Sequence, residues 1–156
     1  MSCERRFEHV NEANQKPEGV KAPSLPKRAT SRSAGYDFYS PVDEVIPAGR
    51  AKTIWSNVKA NILDDDVLKL YIRSSMAIKN KIMLTNQVGI VDSDYYNNPD
   101  NEGNIGISLL NLSAGSYKIK RGDRIAQGII EKYKTVIDDE VVRTRDGGFG
   151  STNKED

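Results

Sequence analysis

From Tyr36 onward the chain is written in short β-prone runs, each stopped by turn residues before it can grow long. The runs cover 36–40, 52–62, 67–74, 82–86, 104–112, 117–120, 125–133 and 136–142. Ala34-Gly35, Pro47-Ala48-Gly49, Asp64-Asp65-Asp66, Ala114-Gly115 and Arg121-Gly122-Asp123 read as the turns. Several runs show the two-residue period of a half-buried strand, such as Val67 to Ile72. Many short strands at this spacing predict an all-β sandwich, jelly roll or small barrel. Only 74–81 has the make-up of a helix, one of about two turns. Ahead of Tyr36 the chain is polar and irregular, with Pro17, Pro23 and Pro26, and predicts an arm with one short strand.

A chain of 156 residues suits one domain with a real core. Its 23 basic and 22 acidic side chains nearly cancel, which leaves no electrostatic footprint for nucleic acid or a membrane surface. No apolar run reaches the roughly 18 residues of a membrane span. The start, Met1-Ser2-Cys3-Glu4-Arg5-Arg6, lacks the apolar stretch of a signal peptide. Cys3 is the sole cysteine and His9 the sole histidine. That excludes an internal disulfide and argues against thiolate or histidine metal sites and a histidine-based triad. A cytoplasmic location is expected.

Chemistry must therefore come from carboxylates, arginines, hydroxyls and glycine-rich backbone. Apolar residues lead into Asp92 in Val88-Gly89-Ile90-Val91-Asp92-Ser93-Asp94-Tyr95-Tyr96, so this carboxylate is expected in a water-poor setting, as a general base or as a turn residue. Tyr95 offers a ring to stack on a sugar or to pack at a strand end. Arg73-Ser74-Ser75 closes a strand and opens the helix, with Ser74 read as a cap and Arg73 as either a bidentate phosphate ligand or a plain surface arginine. Arg121 to Gln127 combines a turn, an Arg–Asp pair read as a structural salt bridge, and an amide that can reach a phosphate. Asp37 sits at a turn-to-strand junction. Arg145-Asp146-Gly147-Gly148-Phe149-Gly150-Ser151-Thr152 joins one aromatic face to glycine-exposed N–H groups, hydroxyls and a cation. That combination suits a nucleotide; an unstructured tail is the plain alternative.

Taken in order, AGYDF at 34–38, RSSMA at 73–77, NQVGIVDSDYY at 86–96, RGDRIAQ at 121–127 and RDGGFGST at 145–152 resemble the five motifs of the trimeric dUTP pyrophosphatase (dUTPase) family. The resemblance spans about residues 25 to 152. It implies a jelly roll or distorted β-barrel with one short helix, assembled as a homotrimer with active sites between subunits. It implies Mg2+-dependent hydrolysis of dUTP to dUMP and pyrophosphate by water attack on the α-phosphate, which supplies dUMP and limits uracil in DNA.

By the same resemblance Asp92 is the general base and Tyr95 lies under the deoxyribose. Asn86, Gly89 and Val91 read uracil through the hairpin, and Arg73, Ser74, Ser75 and Gln127 hold the phosphates. Asp37 stands near the magnesium through water, the metal being carried by the substrate phosphates. Arg145, Gly150, Ser151 and Thr152 close over the β- and γ-phosphates while Phe149 stacks on the base. The expected organisation is a partly ordered arm at 1–24, a β domain at 25–142 and a flexible tail at 143–156.

The chain departs from the family pattern in three places. Ile72 stands where Gly precedes Arg-Ser-Ser. Residues 97–102, from Asn97 to Glu102, are inserted before Gly103 and read as a hairpin tip that meets either a protein partner or the tail. In the last motif Asn153 replaces a frequent Gly, and Arg143 competes with Arg145 for the arginine position. Two rivals share the scaffold. A dCTP deaminase needs a carboxylate where Ser108 stands, and a nucleotide-switched regulatory module would use the inserted loop.

Overall fold

The computed structural model describes residues 4–150. Among them are twelve strands and one α-helix. The strands are β1 (Arg6–His9), β2 (Lys27–Arg28), β3 (Tyr36–Tyr39), β4 (Glu44–Ile46), β5 (Ala51–Trp55), β6 (Val58–Asn61), β7 (Asp66–Tyr71), β8 (Ile82–Leu84), β9 (Gly89–Asp92), β10 (Gly106–Asn111), β11 (Tyr117–Ile119) and β12 (Arg124–Lys132). The helix α1 is Ser74–Asn80. Short 3-10 turns occupy Glu12–Asn14 and Ser93–Tyr95. No helix among the described residues is long and apolar enough to cross a membrane.

The strands form four antiparallel sheets: β2-β3-β12-β7-β9, β5-β10-β8, β1-β6 and β11-β4. Their inward residues share one core, with Phe38, Leu68, Leu70 and Ala126 from the largest sheet meeting Ile54, Ile107, Leu109, Ile82 and Leu84 from the next. Strand β10 shows the sorting plainly, since Ile107, Leu109 and Asn111 point in while Gly106, Ser108 and Leu110 are only partly covered. The architecture is the all-β jelly roll expected, with its single short helix.

The structure corrects the strand reading in three places. The run 52–62 is broken at Ser56-Asn57, where Asn57 takes a left-handed φ of 58° and its backbone N–H bonds to the side chain of Asn104. Strand β9 was hidden because its four residues look like an approach to the following turn. The run 136–142 is no strand: no described strand pairs with it, and Val136, Ile137, Val141 and Val142 are exposed. β-branched residues favour a strand only where a neighbour completes it. The helix begins at Ser74 as expected, but its N-cap is Arg73 rather than a serine, and Arg73 makes no side-chain cap bond.

Candidate active site

Strand β9 builds the first half of the site. Gly89 and Val91 face inward, and Ile90 and Asp92 face outward. Asp92 is therefore half exposed rather than desolvated, its side chain 53% accessible. The next turn brings Tyr95 back into the core at 8% accessibility. Its hydroxyl donates to the Asn104 carbonyl at 2.7 Å and accepts from the Asn101 amide at 2.9 Å. Burial pushes the Tyr95 phenol above its ordinary pKa, so it stays a neutral donor.

A hollow opens over these residues, lined by Asn86, Gly89, Val91, Asp92 and Tyr95 and by Arg145, Gly148, Phe149 and Gly150 of the tail. Arg145 bonds to Asp92 and to Asp94, each at 2.9 Å, with its guanidinium 5.7 Å from the Tyr95 ring centre. Phe149 meets Trp55 edge-on at 5.8 Å. Of the two arginines weighed from the sequence, Arg145 is the one at the catalytic-type carboxylate. Ser151 and Thr152 lie outside the described residues.

A second hollow gathers Asp37, Arg73, Ser74, Ser75 and Gln127 and shares no lining residue with the first. The antiparallel pairing of β12 with β3 and β7 sets Gln127 opposite both Asp37 and Tyr71. Asp37 is buried and bonds to Arg73 at 3.2 Å and Arg124 at 3.4 Å. The expected Arg–Asp salt bridge within the 121–124 turn is thus replaced. Asp123 accepts the Lys120 backbone N–H, and Arg124 reaches across to Asp37. One carboxylate shared by two guanidiniums is no cation cage. No group of three or more His, Cys, Asp or Glu able to hold a metal occurs among the described residues. Magnesium takes oxygen ligands and often draws them from phosphates and water rather than from an all-protein cage, and a set without a carboxylate cluster is compatible with that mode.

Sequence reading missed Asp94, Trp55, Asp100 and Asn101. The inserted loop is folded inward rather than held out as a tip. Asn98, Asn101 and Asn104 are 5%, 6% and 0% accessible. Asn98 donates to the Tyr95 carbonyl and to the Asn101 side chain, both at 2.8 Å. Lys59, itself buried, bonds to Asn97 and Glu102 at 2.6 Å each. Gly103 closes the loop at φ 88°, where a Cβ would lie 2.8 Å from the Tyr95 carbonyl oxygen. The three-residue spacing of Asn98, Asn101 and Asn104 is a signal in the sequence that the hairpin-tip reading did not use. Strand β10 carries no acid, and Ser108 bonds to Thr85 at 2.8 Å.

The chain is similar to known proteins in sequence and in fold. The deoxyuridine 5'-triphosphate nucleotidohydrolase of Lactococcus lactis is 39% identical over 131 residues, 83% of this chain and 87% of that protein. The enzyme of the same name from Arabidopsis thaliana is 38% identical over 82% of this chain and 75% of its own length. The crystal structure of dUTPase from Streptococcus mutans superposes with a TM-score of 0.72 at 34% identity, over 83% of this chain and 97% of that one. The dUTPase family model matches residues 21–153, and this chain belongs to the dUTPase family of hydrolases.

Proposed function

We propose that the chain hydrolyses dUTP to dUMP and pyrophosphate by attack of water on the α-phosphate, at sites shared between the subunits of a homotrimer. The observation that carries this reading is the single hollow that gathers half-exposed Asp92 and buried Tyr95 with Arg145 and Phe149 of the tail. The deoxyribose lies on Tyr95, whose ring leaves no room for a 2′-hydroxyl. Asn86 and the backbone at Gly89 and Val91 read the uracil edge, and Phe149 covers the base. Asp92 takes a proton from the attacking water, an effect worth about 10²–10⁴ in rate. Arg73, Ser74, Ser75 and Gln127 take the phosphates, which draw Arg73 from Asp37.

The two hollows do not merge within one chain, which favours sites completed by a second copy. Mg2+ carried on the triphosphate, with Asp37 near its water shell, would supply charge neutralisation beside Arg73 and Gln127. A structure of phage phi11 dUTPase, 22% identical with a TM-score of 0.71, concerns the coordination of a structural Mg(II) ion. The product dUMP feeds nucleotide synthesis, and removal of dUTP keeps uracil out of DNA.

Product analysis with dUTP, dCTP, dTTP and UTP tests the proposal. Pyrophosphate and dUMP are expected from dUTP, with little turnover of the other three. Comparable cleavage of UTP would remove the Tyr95 role, and release of ammonia from dCTP would favour the deaminase. Asp92→Asn is expected to keep nucleotide binding and lose about 10²–10⁴ in turnover. Full activity in that variant would overturn the general-base assignment.

A further inference from the structure

We propose that the inserted loop is the latch for the tail, with Asp100 and Asn101 as positioning residues that tie tail closure to the Tyr95 ring. The proposal rests on the dUTPase reading of the hollow. The backbone N–H of Gly148 donates to the Asp100 carboxylate at 2.8 Å. Gly148 is buried, and a Cβ there would stand 3.1 Å from the Asn101 amide nitrogen, so the tail fits against the loop as glycine backbone. That same Asn101 nitrogen donates to the Tyr95 hydroxyl. The Asn101 side-chain oxygen accepts from Gly103 at 3.0 Å and from Asn98 at 2.8 Å, which leaves this side chain a single orientation.

The loop is also held by contacts that do not involve the tail. Lys59 holds Asn97 and Glu102, and Glu102 also accepts the Asn11 backbone N–H at 2.7 Å. A receiving surface held this way spends little ordering entropy when it is met. The tail is gripped at two points, Arg145 on Asp92 and Asp94, and Gly148 on Asp100. An incoming triphosphate competes for Arg145. It does not compete for Gly148, so the Asp100 bond keeps Phe149 in place while the arginine changes partners. The same complementary pair can form between two copies of the chain.

Two readouts test the latch. The first is amide exchange of the tail in nucleotide-free protein. Protection at Gly148 is expected in the unaltered protein and lost in Asp100→Ala; unchanged protection overturns the latch. The second is kinetic. Asp100→Ala is expected to lower kcat/KM for dUTP about ten- to hundred-fold, the scale of one charge-assisted hydrogen bond. Asp100→Asn, which keeps an acceptor oxygen, is expected to recover part of that loss.

The losses from Asp100→Ala and from removing residues after Arg143 are expected not to add, because both act through the tail. Additive losses overturn the proposal, as does full activity of Asp100→Ala. A protein that hydrolyses no dUTP refutes the functional reading, and the exchange measurement still decides the latch.

Discussion

The loop 96–104, which carries the insertion, and the tail 133–150 both lack strand and α-helix, yet they sort their residues in opposite ways. The loop is polar and buries Asn98, Asn101 and Asn104; the tail carries Val136, Ile137, Val141 and Val142 and leaves them exposed. Hydrogen-bond satisfaction accounts for the first. Each buried asparagine side chain meets a backbone group or another asparagine, so little desolvation cost remains. The second follows from the absence of a paired strand. Apolar character alone does not bring a segment into a core when nothing on the other side completes its backbone bonds.

The largest effect that sharpens this contrast is on activity. Removing the residues after Arg143 is expected to cut dUTP turnover by two or more orders of magnitude, as roughly expected for loss of a closing segment. The melting transition should stay where it was, since the tail contributes no member of the core. A lower transition, followed by circular dichroism, would place the tail inside the folded unit.

The loop should answer differently. Asn104 accepts from the Asn57 backbone N–H at 3.0 Å and donates to the Asn14 carbonyl and the Asn57 side chain, both at 2.9 Å. Asn104→Ala strands these buried groups and is expected to cost about 2–4 kcal/mol in denaturant unfolding. A loss below about 0.5 kcal/mol, the size usual for a surface change, would mean the loop is a solvated tip after all.

Acid is a gentler probe of the same loop. Burial pushes the Glu102 carboxyl up, but the Lys59 hydrogen bond, the Asn11 N–H, the Lys59 charge and the Asn14 side chain outweigh it and hold it below its ordinary value. A carboxyl lowered by folding contributes stability above its unfolded pKa and loses it as pH falls through the lowered one. Between Glu102→Gln and the unaltered protein, the stability gap is expected to be constant near neutrality. It should shrink below about pH 4.3. A pH-independent gap would refute the ion-pair account.

The smallest expected effect is at Ile137, fully exposed in the chain. Ile137→Ser should change unfolding stability by less than about 0.5 kcal/mol. A larger loss would break the comparison, because it would mean a second copy covers the segment.

Most of the strands and the gathering of Asp92, Tyr95, Arg145 and Phe149 were legible because alternation and short motifs are local signals. The Ser56-Asn57 break was not: both are turn residues, but no Gly or Pro marks the spot, and a side chain 47 positions away stabilises it. The false strand at 136–142 has the right residues and lacks a partner. The exposure of Asp92 turned on the phase of β9, which a short apolar approach does not fix. Nor could the partition of the phosphate-type residues into a separate hollow be read from motif order.

Glu102 takes the backbone N–H of Asn11, Asn104 gives its amide to the carbonyl of Asn14, and Asp100 takes the N–H of Gly148. Stretches remote from one another in sequence thus fasten to a single piece of backbone, the piece that also bears on the Tyr95 hydroxyl. A peptide or partner joined ahead of Arg5 pulls on that piece through β1 and the turn after it. A purification handle at that end is therefore expected to reach turnover through this backbone, and kcat/KM of tagged and untagged protein reads it.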